Sequence, residues 1–126
     1  KKVLLVEDNE LNSEIAKEII SMTGAQVETA ENGKVAVDHM LSRPAGYYDM
    51  IFMDIQMPVM NGYEATKAIR SIDDGRGCNI PIIAMTANAF AEDIIKAKKA
   101  GMNEHMAKPI DINKLYEVLR HWLVND

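Results

Sequence analysis

An α/β fold built on a parallel sheet is predicted by three features of the sequence. Five short strand-like stretches alternate strictly with five helix-periodic ones, so each strand is followed by a helix that can cross back over the sheet. Three of the strand stretches are apolar at every position, the pattern of strands buried on both faces. The other two alternate or carry polar residues, which suits the edges of the sheet.

The first strand, residues 3–6, ends in Glu7-Asp8-Asn9. Leu11, Ile15, Ile19 and Met22 then recur at spacings of three or four, the apolar stripe of an amphipathic helix, and Gly24 stops it. Gln26–Ala30 alternates polar and apolar side chains as a half-buried strand. Val37, Met40 and Leu41 mark a second helix, ended before Pro44 because the residue ahead of proline is pushed out of the α region. Residues 50–53 form the third strand, closed by Asp54, and Ala65, Ile69 and Ile72 stripe a third helix opened near Gly62. A Gly/Asp-rich stretch at 73–79 reads as a mobile loop. The fourth strand, 82–85, has Pro81 at its start, where a missing N–H does least harm. Phe90, Ile94 and Ala97 give a fourth helical stripe stopped at Gly101, Glu104–Ala107 a short fifth strand, and Leu115, Val118, Leu119 and Trp122 the last helix. With apolar strands central and crossovers right-handed, the strand order is 2-1-3-4-5, the flavodoxin-like arrangement with helices on both faces.

At 126 residues the chain fits a single domain. Its net charge of -5 argues against nucleic acid as a partner, because such binding needs basic surface to displace counterions. Lys96, Lys98 and Lys99, at helical spacing, read as a solvated face. The single cysteine, Cys78, has no disulfide partner, which suits a reducing, cytoplasmic setting. No apolar run approaches the roughly 20 residues that span a bilayer, and the opening Lys-Lys-Val-Leu-Leu-Val is too short for a signal peptide. Because the chain does not begin with Met, residues 1–126 are expected to be one domain excised from a longer chain. His39, His105 and His121 lack metal-site spacing. The methionines read as core filler, except Met57 and Met60, which are expected to be exposed; Tyr47 and Tyr48 read as packing residues.

In a sheet of this order, ligands bind beyond the carboxyl ends of the strands, where the order reverses. That point lies between the first strand, ending in Glu7 and Asp8, and the third, ending in Asp54. Three carboxyl groups in one crevice repel one another unless a cation lies between them. Oxygen donors with no neighbouring His or Cys suit a hard ion such as Mg²⁺. Helix capping would account for one acid per strand end, but poorly for a vicinal pair beside a third acid. Thr86 closes the fourth strand and Lys108-Pro109 follows the fifth, so a hydroxyl and a fixed cation face the same edge. Beside a metal ion, such a pair makes a phosphate-binding constellation.

These residues resemble the receiver domain of two-component response regulators. The matching pieces are Val-Glu-Asp-Asn at 6–9, Met-Asp-Ile-Gln-Met-Pro-Val-Met-Asn-Gly at 53–62, Met-Thr-Ala at 85–87 and Lys-Pro-Ile at 108–110. The resemblance implies that Asp54 is the phosphoacceptor, taking a phosphoryl group from a phosphohistidine on a sensor histidine kinase, in cis or in trans. It implies Asp8, Asp54 and the backbone carbonyl of Gln56 as Mg²⁺ ligands, with Glu7 holding the ion's water shell. Lys108 matches the lysine that contacts the phosphoryl group, ahead of a Pro109 peptide bond that relatives often hold cis. Thr86 matches the switch hydroxyl.

His105 stands where many receivers carry Tyr or Phe as the rotating partner of the threonine, and it reads equally as a switch or as a half-exposed edge residue. Gln56 and Asn88 flank the position of the attacking water and are expected to tune dephosphorylation, being amides without basic character. The wording of 61–66, with His105, is similar to receivers of hybrid sensor histidine kinases, which implies relay to a histidine phosphotransfer domain. A phosphatase with an aspartyl nucleophile is the enzyme alternative, but it resembles Asp-x-Asp, whereas Gln56 occupies the second place here. A flavodoxin is the cofactor alternative, yet the acidic loop at 7–10 lacks a phosphate cradle. The third is an interaction module that is never phosphorylated, against which the complete Asp/Thr/Lys set stands.

Overall fold

Runs of Val, Ile, Leu, Met and Phe set down five strands in the computed structural model, which describes residues 1–73, 75, 77, 79–87, 91–108 and 110–124. They are β1 (Lys2–Val6), β2 (Gln26–Ala30), β3 (Met50–Asp54), β4 (Ile82–Thr86) and β5 (Glu104–Ala107). All pair in parallel, in the order β2-β1-β3-β4-β5 that the burial patterns predict. β3 and β4 are buried at every position, while β2 and β5 are partly exposed. The helices between and after them are α1 (Glu10–Ser21), α2 (Gly33–Ser42), α3 (Gly62–Arg70), α4 (Ala91–Ala100) and α5 (Ile112–Leu119), the last running into a π-helical turn at Arg120–Val124. No helix among the described residues is long and apolar enough to cross a membrane.

The period-two alternation of the strands divides the core into two layers. Leu4, Val6, Ile51, Met53, Ile82 and Ala84 face Ala36 and Met40 of α2, Ala65 and Ile69 of α3, and Ala97 of α4. Val3, Leu5, Met50, Phe52, Ile83 and Met85 face α1 and α5. Asn9, Asn32, Asn61 and Asp111 cap the helices that follow β1, β2, β3 and β5, each side chain accepting a backbone N–H of the first turn. Strand ends and helix starts therefore share one edge of the sheet, with polar backbone and short polar side chains gathered there.

Three expectations change in the folded protein. Leu11, Ile15 and Met22 are exposed, and α1 buries Ala16, Ile19 and Ile20 instead. The helix carries two overlapping apolar stripes that share Ile19, and close packing beneath α5 takes the one with the smaller side chains. On α2, Ala36 rather than Leu41 turns inward for the same reason. Met57 and Met60 are not fully exposed but half-buried, packed against the α2–α3 layer. Cys78 and Phe90 lie outside the described residues.

The edge strand β2 is sealed by a polar cluster around Glu28. Its carboxylate accepts hydrogen bonds from Tyr47 Oη at 2.7 Å, Tyr48 Oη at 2.9 Å and Arg43 at 3.0 Å. Lys2 Nζ stacks 4.1 Å from the Tyr47 ring centre and donates to its hydroxyl. Burial alone would raise the pKa of Glu28, but the bonds from Tyr47, Arg43 and Tyr48 outweigh it and hold the pKa down to about 2. The folded value lies below the ordinary 4.5, so the cluster stabilises the fold above that pH and loses its effect as the pH falls toward 2. Glu28→Gln is expected to cost about 1–2 kcal/mol at pH 7. Urea unfolding across the acid range should show the gap from wild type closing as the pH drops; a gap independent of pH would contradict this.

Candidate functional site

Three parallel strands deliver acids and a base to one crevice. Asp54, the last residue of β3, is 3% exposed, and Glu7, just past β1, is 5% exposed. The carboxylate oxygens of Glu7, Asp8 and Asp54 approach within 4.8 Å of one another. Lys108, just past β5, places Nζ 2.8 Å from Glu7 Oε2 and 3.0 Å from Asp54 Oδ2. Backbone bonds hold these ends in register: Glu7 N–H to Ala30 O at 3.0 Å, Ile55 N–H to Met85 O at 3.1 Å, and Lys108 N–H to Thr86 O at 2.8 Å.

One ammonium against three carboxylates leaves the crevice short of positive charge. Burial pushes the Asp54 carboxyl up to about 7; the Lys108 hydrogen bond opposes the rise and the Glu7 carboxylate adds to it. For Lys108, burial would lower the pKa, but Glu7 and Asp54 outweigh that and raise it. Asp8 is exposed and lines the cleft outside the pair. An oxygen-only donor set with excess negative charge, half of it open to solvent, fits a small hard divalent cation such as Mg²⁺.

The cleft beside Asp54 has a volume of about 610 Å³ and is lined by Asp8, Gln56, Asn61, Tyr63, Thr86 and Lys96, among others. Thr86 ends β4 and is buried. His105 is half-exposed; opposite Ala84 in the β4–β5 register, it shares a sheet face with Thr86's partner Ala107. Asn88 and Pro109 lie outside the described residues. The structure thus brings Glu7, Asp8, Asp54 and Lys108 together, with Gln56 and Thr86 at the cleft wall. Sequence reasoning missed Lys96, which lines the cleft from α4, and Tyr63, whose hydroxyl donates to Asp93 O at 3.4 Å across α3 and α4. Helical spacing of the lysines was the available signal, and it cannot tell which end of a helix overhangs a cleft.

The loop from β3 to α3 carries Gln56 and is tightly wound. Met60 N–H bonds back to Pro58 O at 2.7 Å, a γ-turn centred on Val59 at φ 69°. A β-branched residue in that conformation is strained. The base of the loop closes where Gly62 N–H meets Ile55 O at 2.8 Å. A Cβ at Gly62 would strike the Asp54 carbonyl and lie 2.9 Å from Ile55 Cα, so only glycine lets α3 start this close to the acid.

Residues 3–120 match the family model of the response regulator receiver domain. The chain belongs to this family. The receiver domain is 42% identical over 121 residues, 94% of its length, to hybrid signal transduction histidine kinase I of Dictyostelium discoideum. It spans 7% of that protein, and between 7% and 16% of the other histidine kinases it matches. Among solved structures it superposes with a TM-score of 0.88, at 36% identity over 99% of its own length and 98% of the other chain, on the receiver domain of sensor histidine kinase PA1611 from Pseudomonas aeruginosa PAO1, which has a magnesium ion coordinated in its active-site cleft. The receiver domain of Ssk1 from Saccharomyces cerevisiae, co-crystallised with the histidine phosphotransfer protein Ypd1, gives 0.87 at 32% identity, covering 96% of this chain and 87% of that one. The flavodoxin-like order and the two-component family thus stand on comparisons of both sequence and structure.

The Asp54 shift has a consequence for stability. Its folded value, about 7, exceeds the ordinary 3.8, so this group favours the fold below 3.8 and that contribution is lost as the pH rises through 7. In chelator, Asp54→Asn is expected to stabilise the protein by about 1–2 kcal/mol at pH 8 and to have little effect at pH 4. Thermal unfolding at the two pH values tests this, and a variant less stable at pH 8 would overturn it.

Proposed function

We propose that this receiver domain accepts a phosphoryl group on Asp54 from a phosphohistidine, in a Mg²⁺-dependent transfer, and passes it on to a histidine phosphotransfer domain or uses it to switch a partner-binding surface. The observation that carries this reading is Lys108 Nζ, held between the buried Asp54 and Glu7 carboxylates with Asp8 beside them. In the transfer, the P–N bond of the donor breaks and its electron pair returns to the imidazole, while an Asp54 Oδ–P bond forms. The product is an acyl phosphate, and attack by water later releases inorganic phosphate and restores the carboxylate.

A Mg²⁺ ion held by Asp8, Asp54 and the Gln56 carbonyl, with Glu7 behind it, would neutralise the phosphoryl oxygens. Lys108 supplies a fixed cation to the same oxygens from within its ion pairs, so little reorganisation accompanies the reaction. Thr86 offers its hydroxyl to the new oxygens, and on this reading His105, which stands where many receivers carry Tyr or Phe, is the side chain that would follow it. Gln56 at the cleft wall and, on the sequence reading, Asn88 tune the lifetime of the acyl phosphate. The magnesium in the PA1611 receiver and the Ypd1 complex of the Ssk1 receiver support this reading. On the same reading, residues 1–126 are one cytoplasmic receiver domain of a longer chain, whether or not that chain is anchored in a membrane; the isolated domain catalyses only its own phosphorylation and dephosphorylation, and a hybrid parent would be a protein-histidine kinase.

The direct test is mass spectrometry after treatment with acetyl phosphate. Wild type is expected to gain one phosphoryl group in Mg²⁺ and none in chelator, and Asp54→Ala none in either; labelling of Asp54→Ala would sink the proposal.

The partner reading has its own support. A donor histidine must reach Asp54, so its protein must cover the rim of the crevice. Leu11 and Ile15, 65% and 46% exposed, stand on that side, and Ile15 lines a groove with Asn12, Lys108 and Ile110. Replacing both with Ser is expected to slow transfer from a phosphohistidine protein about tenfold or more, since a few apolar anchors carry most interface energy. Labelling by acetyl phosphate should be unaffected. Equal losses with both donors would mean that α1 acts on the site rather than on the partner.

A further inference from the structure

The start of α2 packs against the β3–α3 loop, the loop that carries Gln56. Gly33 is its first residue, and Asn32 caps the helix by accepting Val35 N–H. Gly33 does not take the left-handed conformation that calls for glycine, and glycine is a poor helix former. Its need lies in a contact. Gly33 N–H donates to Met60 O at 3.1 Å. A Cβ there would lie 2.6 Å from Met60 O, 2.9 Å from Ala65 Cβ and 3.1 Å from Asn61 O. Two of these are backbone atoms of the β3–α3 loop, which cannot rotate away as a flexible side chain would.

Met60 also ends the strained γ-turn at Val59, so this contact presses on the loop at its least relaxed point. The same junction reaches the other half of the site, because Ala30 O accepts Glu7 N–H at 3.0 Å. Residues 30–33 therefore brace both ligand-bearing segments, Glu7-Asp8 on one side and the Gln56 loop on the other. Neither segment touches the other's brace by sequence proximity; the β2–α2 junction joins them.

We infer that Gly33 is a positioning residue for the divalent-ion site, its backbone contact with Met60 holding the Gln56 loop in place against the acidic pair. The inference rests on the Mg²⁺ reading of Asp8, Asp54 and Gln56. The residue itself touches neither ion nor phosphoryl group. It acts by fixing where the loop stands, as second-layer groups do around metal ligands.

The test is calorimetric titration with MgCl₂ on wild type, Gly33→Ala and Lys34→Gly. Lys34→Gly is the control: it weakens the same helix turn, loses the exposed 3.1 Å pair with Asp38 and does not enter the loop. Gly33→Ala is expected to raise the Mg²⁺ dissociation constant about tenfold, in the range seen when the support of a ligand is removed. Lys34→Gly should lower the melting temperature with the ion affinity unchanged. A second measurement needs no variant: coupling is reciprocal, so Mg²⁺ should slow hydrogen exchange at the Gly33 amide of wild type. A folded Gly33→Ala that binds Mg²⁺ as tightly as wild type, or a Gly33 amide indifferent to the ion, overturns the inference. Wild type that binds no Mg²⁺ at all would instead defeat the ion reading on which it rests.

Discussion

The ion pairs of Lys108 with Glu7 and Asp54 are the constraint on which the carboxyl edge of the sheet is built. A lysine ammonium 2.8 and 3.0 Å from two nearly inaccessible carboxylates is stable only if backbone on several strands holds all three in place. That requirement explains why the hydrogen bonds Glu7 N–H to Ala30 O, Ile55 N–H to Met85 O and Lys108 N–H to Thr86 O extend the sheet ladder past its regular ends. The pairing is also incomplete: burial, with the Glu7 carboxylate adding to it, leaves Asp54 with a raised pKa despite Lys108, and one cation among three acids leaves the crevice short of positive charge. The site is thus built to be unsatisfied, and the sheet supplies the stability that the site spends.

Packing and chemistry are divided cleanly between the faces and the edge of the sheet. Side chains alternate into two apolar layers, and the buried polar residues of the central strands, Asp54 and Thr86, stand at their carboxyl ends. At the carboxyl edge the pattern inverts, since capping residues Asn9, Asn32, Asn61 and Asp111 start helices where the strands stop. The capping box of Asn61 and Glu64 fixes the start of α3, and Gly62 lets that start lie against the Asp54 backbone. Helix starts, glycine contacts and the strained turn at Val59 are local devices with one common effect: they hold short loops still around a charged centre.

The apolar side chains left outside this arrangement are as informative as those within it. Leu11 and Ile15 remain exposed on α1 near Lys108, while the edge of β2 is closed by Glu28, Tyr47, Tyr48 and Arg43. One side of the domain is therefore closed by hydrogen bonds and another is left open beside Lys108. A domain that exchanges a phosphoryl group with a protein needs that asymmetry, because the partner must approach the aspartate without competing with a hydrated, charged surface.

Strand number, strand order and the acids at the strand ends were determined by the sequence alone, because they follow from burial on two faces, from the handedness of crossovers and from residues adjacent in the chain. Asp54, Glu7, Asp8 and Thr86 could be read this way since each sits at the end of a recognisable apolar run, while Lys108 follows the short mixed strand β5. Tertiary structure decided the rest. Lys108 and Glu7 are 101 positions apart, and Gly33 meets Met60 across the length of α2 and β3, distances over which periodicity says nothing about contact. Which stripe of α1 turned inward was also settled only in three dimensions: Leu11 and Ile15 compete with Ala16 and Ile20 for the same core, and the space left beneath α5 admits the smaller set.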